Sequence, residues 1–283
     1  MLRSTVRVLD QRDLPTALAL CDRDVAANLM VSARLSSHGI GSRFSGGELW
    51  GYHDNGELTA LCWSGANLIP VGARGDALDA FVATARRAGR QCSSIVGPAD
   101  QVLPMWNELR RSWGRAREVR PAQPLMTIAS GPLVAADPVV RRSALDELPL
   151  VIPACVAMFT EEVGYSPVAA DGGTVYQAQV TGLVAGGRSF VRIESVAGHP
   201  QVIFKAELGS VTLHGVQVQG VWVAPGFRGQ GLAAPGMAAV VEAVRKDLAP
   251  LVSLYVNDFN IRAIRAYERV GFSSVGTFAT VLF

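Results

Sequence analysis

The fold of this chain is decided by the stretch Val221-Trp222-Val223-Ala224-Pro225-Gly226-Phe227-Arg228-Gly229-Gln230-Gly231-Leu232-Ala233-Ala234. Its apolar start is typical of a strand, its middle of a glycine-rich turn and its end of a helix. The first N–H groups of a helix have no partner within the helix, and the helix dipole favours an anion beside them. Gly229 and Gly231 let the main chain approach a ligand closely, and Arg228 adds a cation. The stretch therefore predicts a pyrophosphate site.

A glycine-rich turn alone is weak evidence, because this one is neither a Walker loop nor a Rossmann G-x-G-x-x-G. A second segment strengthens the case: Asn257-Asp258-Phe259-Asn260-Ile261-Arg262-Ala263-Ile264-Arg265-Ala266-Tyr267-Glu268-Arg269-Val270-Gly271-Phe272. From Asn260 to Val270 it reads as a helix, with Gly271 as the expected residue after its end. Asn260 and Tyr267 are seven residues apart, so two helical turns place them on one face.

Both segments resemble motifs of the GNAT superfamily, the GCN5-related N-acetyltransferases. Arg228-x-x-Gly231-x-Ala233 follows Val223-Ala224-Pro225 and resembles the family's motif A. Asn260-x-x-Ala263-x-x-x-Tyr267-x-x-x-Gly271-Phe272 resembles its motif B. The two motifs occur in the family's order and among the expected elements. The resemblance covers residues 137–283, and in the first half it extends only to the order of elements.

The resemblance implies acetyl-CoA as cosubstrate and requires no metal ion. Two neighbouring parallel strands, expected at Val216–Val223 and Val252–Val256, would splay apart and admit the pantetheine arm, which would pair like an added strand. The amides of residues 229–234 would hold the pyrophosphate, Asn260 would hydrogen-bond the cofactor and Ala263 would leave room for it. The implied cofactor-binding residues are Val221, Trp222, Val223, Arg228, Gly229, Gln230, Gly231, Leu232, Ala233, Ala234, Asn257, Asn260 and Tyr267.

The resemblance also implies catalytic roles. A neutral amine must attack the thioester, the oxyanion must be stabilised and the departing thiolate must be protonated. The amide of Val223 is the expected oxyanion donor and Tyr267 the expected general acid, with a core tyrosine as the alternative. Glu207 is the candidate general base, although Lys205 shares its face of the strand and the two could form only a salt bridge. Many relatives need no dedicated base if the amine arrives deprotonated.

Several further residues allow two interpretations. His214 lies in a predicted turn, where an exposed histidine is the expected state. Glu161 and Glu162 end a helix that in the family often lines the acceptor pocket, so they either bind a cationic substrate or form a solvated helix end. Pro235 follows the loop closely. Beyond the first helical turn it would remove a hydrogen bond and alter the pyrophosphate site.

The hydrophobic pattern predicts an α+β fold. From residue 137 the order is β-α-α-β-β-β-α-β-α-β, and the strands between Phe190 and Val223 are joined by turns, so they should be antiparallel. The strand at Val252–Val256 follows a helical crossover and should be parallel to the strand before it. A final strand is expected at Val275–Phe283. Pro and Gly around residues 130–138 mark a boundary between domains 1–135 and 136–283, each a mixed, mostly antiparallel sheet flanked by helices.

The first half repeats this order with weaker signals, which favours an internal duplication of one GNAT-like fold. Where motif A would fall stands Val71-Gly72-Ala73-Arg74-Gly75-Asp76, and no motif B follows. An acidic residue at a helix start repels phosphate. We therefore expect a degenerate domain that does not bind CoA well, packs against the catalytic domain and shapes the acceptor cleft. Its tryptophans are expected in the core: Trp50, Trp63, Trp106 and Trp113.

Composition narrows the class of protein. With 49% hydrophobic and 18% charged residues, the chain can form sizeable cores. Up to Ala135 it has 15 basic and 12 acidic residues, and afterwards 11 and 12, so neither half has the basic excess that nucleic acid requires. No secretion signal or apolar span is visible, which favours a cytoplasmic protein without membrane contact. The cysteines lack metal or disulfide spacing and are expected to be buried thiols: Cys21, Cys62, Cys92 and Cys155.

The sequence thus predicts an acetyl-CoA-dependent N-acetyltransferase that acts on a primary amine of a small molecule, a protein N-terminus or a lysine, by direct attack in a ternary complex. A homodimer is possible. One alternative is a CoA-binding sensor or scaffold without turnover, which would bind acetyl-CoA but release no thiol. Another is an aminoacyl-tRNA-dependent transferase on a related tandem fold, against which the intact Arg228–Ala233 loop argues.

Overall fold

The computed structural model describes residues 5–41, 46–168 and 172–283. Its helices are α1 (Leu14–Asp22), α2 (Val25–His38), α3 (Asp76–Ala88), α4 (Ala99–Trp113), α5 (Leu148–Val163), α6 (Thr174–Ala185), α7 (Ala233–Asp247) and α8 (Ile261–Val270). Its strands are β1 (Thr5–Val8), β2 (Gly47–Asp54), β3 (Glu57–Gly65), β4 (Asn67–Val71), β5 (Ser94–Pro98), β6 (Glu118–Ile128), β7 (Arg141–Arg142), β8 (Ser189–Val196), β9 (His199–Val211), β10 (Gly215–Val223), β11 (Leu251–Tyr255) and β12 (Ser273–Leu282).

The chain forms two compact units. The first comprises Met1–Met126, Tyr255–Phe259 and Ser274–Phe283, and the second Thr127–Leu254 and Asn260–Ser273. The strands form one mixed 12-stranded sheet with helices, as the α+β prediction required, and each unit contains one part of that sheet. The division predicted between residues 135 and 136 stays a prediction. In the structure the chain returns to the first unit twice after this point, at Tyr255–Phe259 and at Ser274–Phe283.

The sheet of the first unit has the order β1-β2-β3-β4-β5-β12. Neighbours are antiparallel from β1 to β4, β4 and β5 are parallel, and β12 is antiparallel to β5. The sequence predicted the strand at Val275–Phe283 but assigned it to the second half. In the structure this strand pairs with β5, from Phe278 opposite Pro98 to Leu282 opposite Ser94. The assignment was wrong because hydrophobic alternation predicts a strand but not its partner.

The sheet of the second unit has the order β7-β8-β9-β10-β11. As predicted, β8, β9 and β10 are antiparallel neighbours and β11 runs parallel to β10. The parallel pairing is short, joining only Gly215–Gln217 to Leu251–Ser253. The remainder of β10, residues 218–223, extends past this pairing.

The two units share one order of elements. Read along the chain, β1 to α4 and β7 to α8 both follow β-α-α-β-β-β-α-β-α. The sequence did not reveal β1, and β7 is only two residues long where a longer strand was expected. The shared order supports the interpretation that one fold occurs twice.

Tight packing fixes α7 on the sheet of the second unit. Gly236 lies so close to the Phe204 ring that a Cβ atom there would be 2.7 Å from the ring. Phe204 is 1% exposed on β9, so the helix backbone rests directly on the sheet. This contact places the first turn of α7 next to the end of β10.

Other expectations about burial are met. Trp50, Trp63 and Trp106 are buried, and Trp113 packs against the core of the first unit. All four cysteine thiols are buried. In the described part of the chain, no helix combines the length and apolar character needed to span a membrane.

Candidate acetyl-CoA site of the second unit

The loop from β10 to α7 presents a row of unpaired amides. After Val223 a short 3-10 turn, Pro225–Phe227, leads to α7, whose N-cap residue Leu232 offers no side-chain cap. Gly229 and Gly231 adopt φ angles of +79° and +78°, which favour glycine. Within residues 5–41, 46–168 and 172–283, no acceptor is found for the amides of residues 229–234. These six N–H groups are therefore available to an anion, as the sequence predicted.

Pro235 does not disturb this helix start. Since α7 begins at Ala233, Pro235 is its third residue, where no backbone N–H has an intrahelical partner. The first helical hydrogen bond runs from the N–H of Gly236 to the carbonyl of Leu232, at 3.1 Å. Pro235 therefore removes no hydrogen bond of α7.

Strand β10 changes course just before the loop. Its register against β9 shifts between Gln219 and Trp222, and Gly220 has a φ angle of +58°. Val221, Trp222 and Val223 all lie beyond the last pair with β11. This bulge, together with the short parallel pairing, gives the splayed strand that the sequence predicted.

Arg228 joins the loop to the end of α5. Its Nη2 lies 2.6 Å from Glu161 Oε2, and its Nε donates to the Val223 carbonyl at 2.9 Å. The Trp222 indole N–H donates to Glu161 Oε1 at 3.3 Å. The Arg228 and Glu161 side chains are 43% and 42% exposed, so this ion pair contributes little to stability. Glu161 is thus tied to the loop, whereas the sequence suggested either an acceptor ligand or a solvated helix end.

Glu207 is part of a buried polar cluster. Its Oε1 lies 2.7 Å from Lys205 Nζ and accepts a hydrogen bond from the Cys155 thiol at 3.2 Å. The predicted Lys205–Glu207 salt bridge is therefore present. Burial raises the pKa of Cys155 to about 12, and Glu207 adds to the effect, while Lys205 opposes it. Sequence reasoning missed Cys155 as a partner, since no spacing links α5 to β9.

Helix α8 carries the two motif B residues. Asn260 is its N-cap, and its Oδ1 accepts a hydrogen bond from the Ala263 N–H at 3.3 Å. Tyr267 is 7% exposed, and burial raises the pKa of its hydroxyl above the usual range, with a smaller contribution from Glu162. The phenol is therefore neutral at ordinary pH. The side-chain oxygen of Asn260 therefore caps α8, a role that the sequence did not predict.

Asn257, the remaining predicted contact, belongs to the first unit. Its Oδ1 accepts a hydrogen bond from Gln123 Nε2 at 2.8 Å, and Gln123 Oε1 accepts one from Thr280 at 2.6 Å. These bonds give Asn257 a structural role. Its cofactor contact stays a prediction.

An aromatic cluster stands beside α5 and α6. The Phe159 ring makes edge contacts with Tyr165 and Tyr176, at centroid distances of 5.6 and 5.5 Å. The Tyr176 hydroxyl donates to the Cys155 carbonyl at 3.0 Å. His214 is exposed in the turn between β9 and β10, as expected.

The equivalent loop of the first unit is arranged differently. The Ala73 N–H donates to the buried Gln101 Oε1 at 2.9 Å. Arg74 pairs with Asp100 at 2.5 Å, and Asp76 is the first residue of α3. A cavity of about 700 Å³ lies beside this loop, and its lining carries charges of both signs.

Comparisons with known proteins agree with this geometry. Residues 159–272 match the family described as "Acetyltransferase (GNAT) family", and residues 47–151 match "Domain of unknown function (DUF4081)". A Drosophila protein is 14% identical over 99% of both chains, with a TM-score of 0.69. A GCN5-related N-acetyltransferase from Sphaerobacter thermophilus is 15% identical over 99% of this chain and 95% of its own, with a TM-score of 0.64.

A tandem GNAT protein from the clavulanic acid biosynthesis pathway is 14% identical over 99% of this chain and 98% of its own, with a TM-score of 0.58. No match was found among curated proteins. At these identities the structural matches establish the fold, which is that of tandem GNAT proteins. The family match then gives the class. The second half of the chain is a domain of the GNAT acetyltransferase family, and the first half carries a DUF4081 domain.

Proposed function

We propose that the second unit transfers an acetyl group from acetyl-CoA to a primary amine by direct attack in a ternary complex. The observation that carries the proposal is the row of unpaired amides at residues 229–234, at the start of α7. A diphosphate bound there would receive several N–H donors and the favourable end of the helix dipole. Arg228 at the same loop would add a full positive charge.

The unpaired part of β10 suits the pantetheine arm. Beyond Gln217 the strand has no partner in β11, so Val221 and Val223 can offer main-chain groups to an extended ligand. An amide-containing arm can pair there as an added strand would. The thioester would then lie near the bulge at Gly220.

The reaction needs groups at three points. The amine nitrogen attacks the thioester carbonyl, and the Val223 N–H stabilises the oxyanion that forms. When the C–S bond breaks, the Tyr267 hydroxyl gives its proton to the CoA sulfur. Glu207 takes the first proton that the amine loses, before attack, and the Tyr267 phenolate takes the second, which the same nitrogen loses as the amide forms. The Oε1 atom of this carboxylate is engaged by Lys205 and Cys155, whereas its Oε2 faces Gly220 and would be the accepting oxygen.

The acceptor would approach from the side of α5, where Glu161 and Glu162 end the helix. A carboxylate beside aromatic rings attracts a cationic amine. We therefore infer that the acceptor arrives protonated and loses a proton before attack, which gives Glu207 its task. The acceptor could be a small amine, a protein N-terminus or a lysine.

Calorimetry with acetyl-CoA, followed by detection of free CoA over a panel of primary amines, tests the proposal. Binding of one coenzyme per chain with amine-dependent release of CoA is the expected result. Binding without release on any amine would favour the sensor or scaffold. Absence of binding, with transfer from aminoacyl-tRNA instead, would overturn the assignment.

A further inference from the structure

A fully buried lysine lies beneath the bulge of β10. Lys205 is 0% exposed, and its Nζ lies 2.7 Å from Glu207 Oε1 and 3.0 Å from the Gly220 carbonyl oxygen. Moving a charge out of water is costly, and replacing a buried pair by apolar residues is often neutral or stabilising. Stability alone therefore gives a weak reason for a lysine at this place.

Gly220 is shaped around this ion pair. A Cβ atom at Gly220 would lie 3.0 Å from Glu207 Oε2, 3.1 Å from Lys205 Nζ and 3.2 Å from Met158 Cε. The φ angle of +58° also disfavours a side chain. The ammonium and the carboxylate fill the space that a side chain would occupy, and the backbone of β10 lies directly on them.

The lysine also determines which way a peptide group faces. In a trans peptide unit, the carbonyl of Gly220 and the N–H of Val221 point in opposite directions. Lys205 donates a hydrogen bond to that carbonyl, so the Val221 N–H is directed away from the ammonium. Val221 is one of the main-chain positions that the proposed function assigns to the acetyl-bearing arm.

We propose that Lys205 is a positioning residue for acetyl transfer. It holds the Gly220–Val221 peptide in the orientation that the acetyl thioester needs, and it holds Glu207 with Oε2 toward the same point. The proposal rests on the proposed function, since it acts through Val221 and Glu207 on bound acetyl-CoA.

Kinetics can separate this role from the role of Glu207 as base. The comparison is between Glu207→Gln and the double variant Lys205→Met/Glu207→Gln, because both lack the base. In the single variant Lys205 keeps the Gly220 carbonyl and the new amide oxygen as hydrogen-bond acceptors, and in the double variant neither charge of the pair remains. We expect the double variant to lose about tenfold or more in kcat beyond the single variant, since misplaced groups lower turnover strongly. The dissociation constant of acetyl-CoA should change by less than about threefold, since Lys205 does not contact the diphosphate loop. Equal kcat in two folded variants would overturn the proposal.

Nuclear magnetic resonance tests the same idea in the unaltered protein. The chain has only two lysines, Lys205 and the exposed Lys246, so ¹³C labelling at the lysine ε-carbon gives one reporter and one internal control. The Lys205 signal should shift when acetyl-CoA binds, and the Lys246 signal should not. If calorimetry on the same sample shows no binding, the proposed function fails. If acetyl-CoA binds and the Lys205 signal stays unchanged, only the positioning role fails.

Discussion

The loops at residues 71–76 and 223–233 occupy the same place in the order of elements of the two units, but they differ in the partners of their backbone amides and in their charged residues. In the first unit the Gln101 side chain takes the Ala73 amide, Asp100 pairs with Arg74, and α3 opens with Asp76. In the second unit the amides of residues 229–234 are unpaired within the described chain, and no acid stands in the first turn of α7. The same fold thus has unpaired backbone amides at this loop in one copy and a side-chain acceptor for the loop amide of Ala73 in the other.

The strands before the two loops reinforce this contrast. β10 has nine residues with a bulge, whereas β4 has five and contains Pro70, which lacks an N–H. An arm that binds as an added strand needs that donor. We therefore expect that the first unit neither holds a diphosphate at this loop nor pairs with a pantetheine arm.

The contrast is sharpest at the proposed proton donor. Tyr267 is the seventh residue of α8, and Met105 is the seventh residue of α4 in the first unit. We expect Tyr267→Phe to lower kcat about a hundredfold or more, because general acids contribute on that order, while acetyl-CoA affinity stays within about twofold. Steady-state kinetics and calorimetry measure both. A mutant with parental kcat would remove Tyr267 as the acid.

The pH dependence gives an independent check on Tyr267. Burial raises the pKa of its hydroxyl above the usual value for tyrosine, so the acid stays protonated, and the parental rate should not fall through its ionisation below about pH 10. A fall in rate centred below that pH, present in the parent and absent in Tyr267→Phe, would show that Tyr267 ionises there and would contradict the raised pKa of its hydroxyl.

The next largest effect should come from giving the second loop an acid like that of the first. Gly231→Asp should weaken acetyl-CoA binding about tenfold to a hundredfold, through repulsion with the diphosphate. Gly231→Asn is the matched control, because both residues tolerate a positive φ angle and a Cβ there meets no atom within 4 Å. Equal affinities for the two variants would show that the loop does not hold the diphosphate.

The hydrogen bond that the Gln101 side chain accepts from the loop of the first unit can be removed by a single substitution. Gln101→Leu leaves the buried Ala73 amide without an acceptor and should lower the free energy of unfolding by about 1 kcal/mol or somewhat more. Urea denaturation measures the change. Gln91→Leu at an exposed position is the control and should have little effect. Equal losses in both variants would mean that the Gln101 bond is not what holds this loop.

The smallest expected effect concerns Arg228. Glu161→Gln removes the ion pair and frees Arg228 for the diphosphate, so acetyl-CoA should bind about twofold to threefold more tightly at low salt and equally at high salt. Glu242→Gln makes the same charge change on α7 away from Arg228. If both variants respond alike, the effect is one of overall charge.

Much of the second unit was predictable because its signals are local. Glycines at the ends of apolar segments predicted the starts of α7 and α8 to within one residue of the observed positions. The pairing of β12 with β5 and the Cys155–Glu207 contact were not predictable, since both join segments far apart in the chain. The bulge at Gly220 was equally hidden, because its backbone lies on the Lys205–Glu207 pair of the neighbouring strand, a contact that no local pattern shows. The roles of Tyr267, Glu207, Asn257 and Asn260 stay predictions.

The pairing of β12 with β5 has a consequence for synthesis on the ribosome. Residues 94–98 emerge long before residues 273–282, so one side of β5 waits without that neighbour while the whole second unit is translated. An exposed strand edge is a template for association with other chains. Nascent chains should therefore need shielding by chaperones over this interval, and slow translation of the second half should increase aggregation.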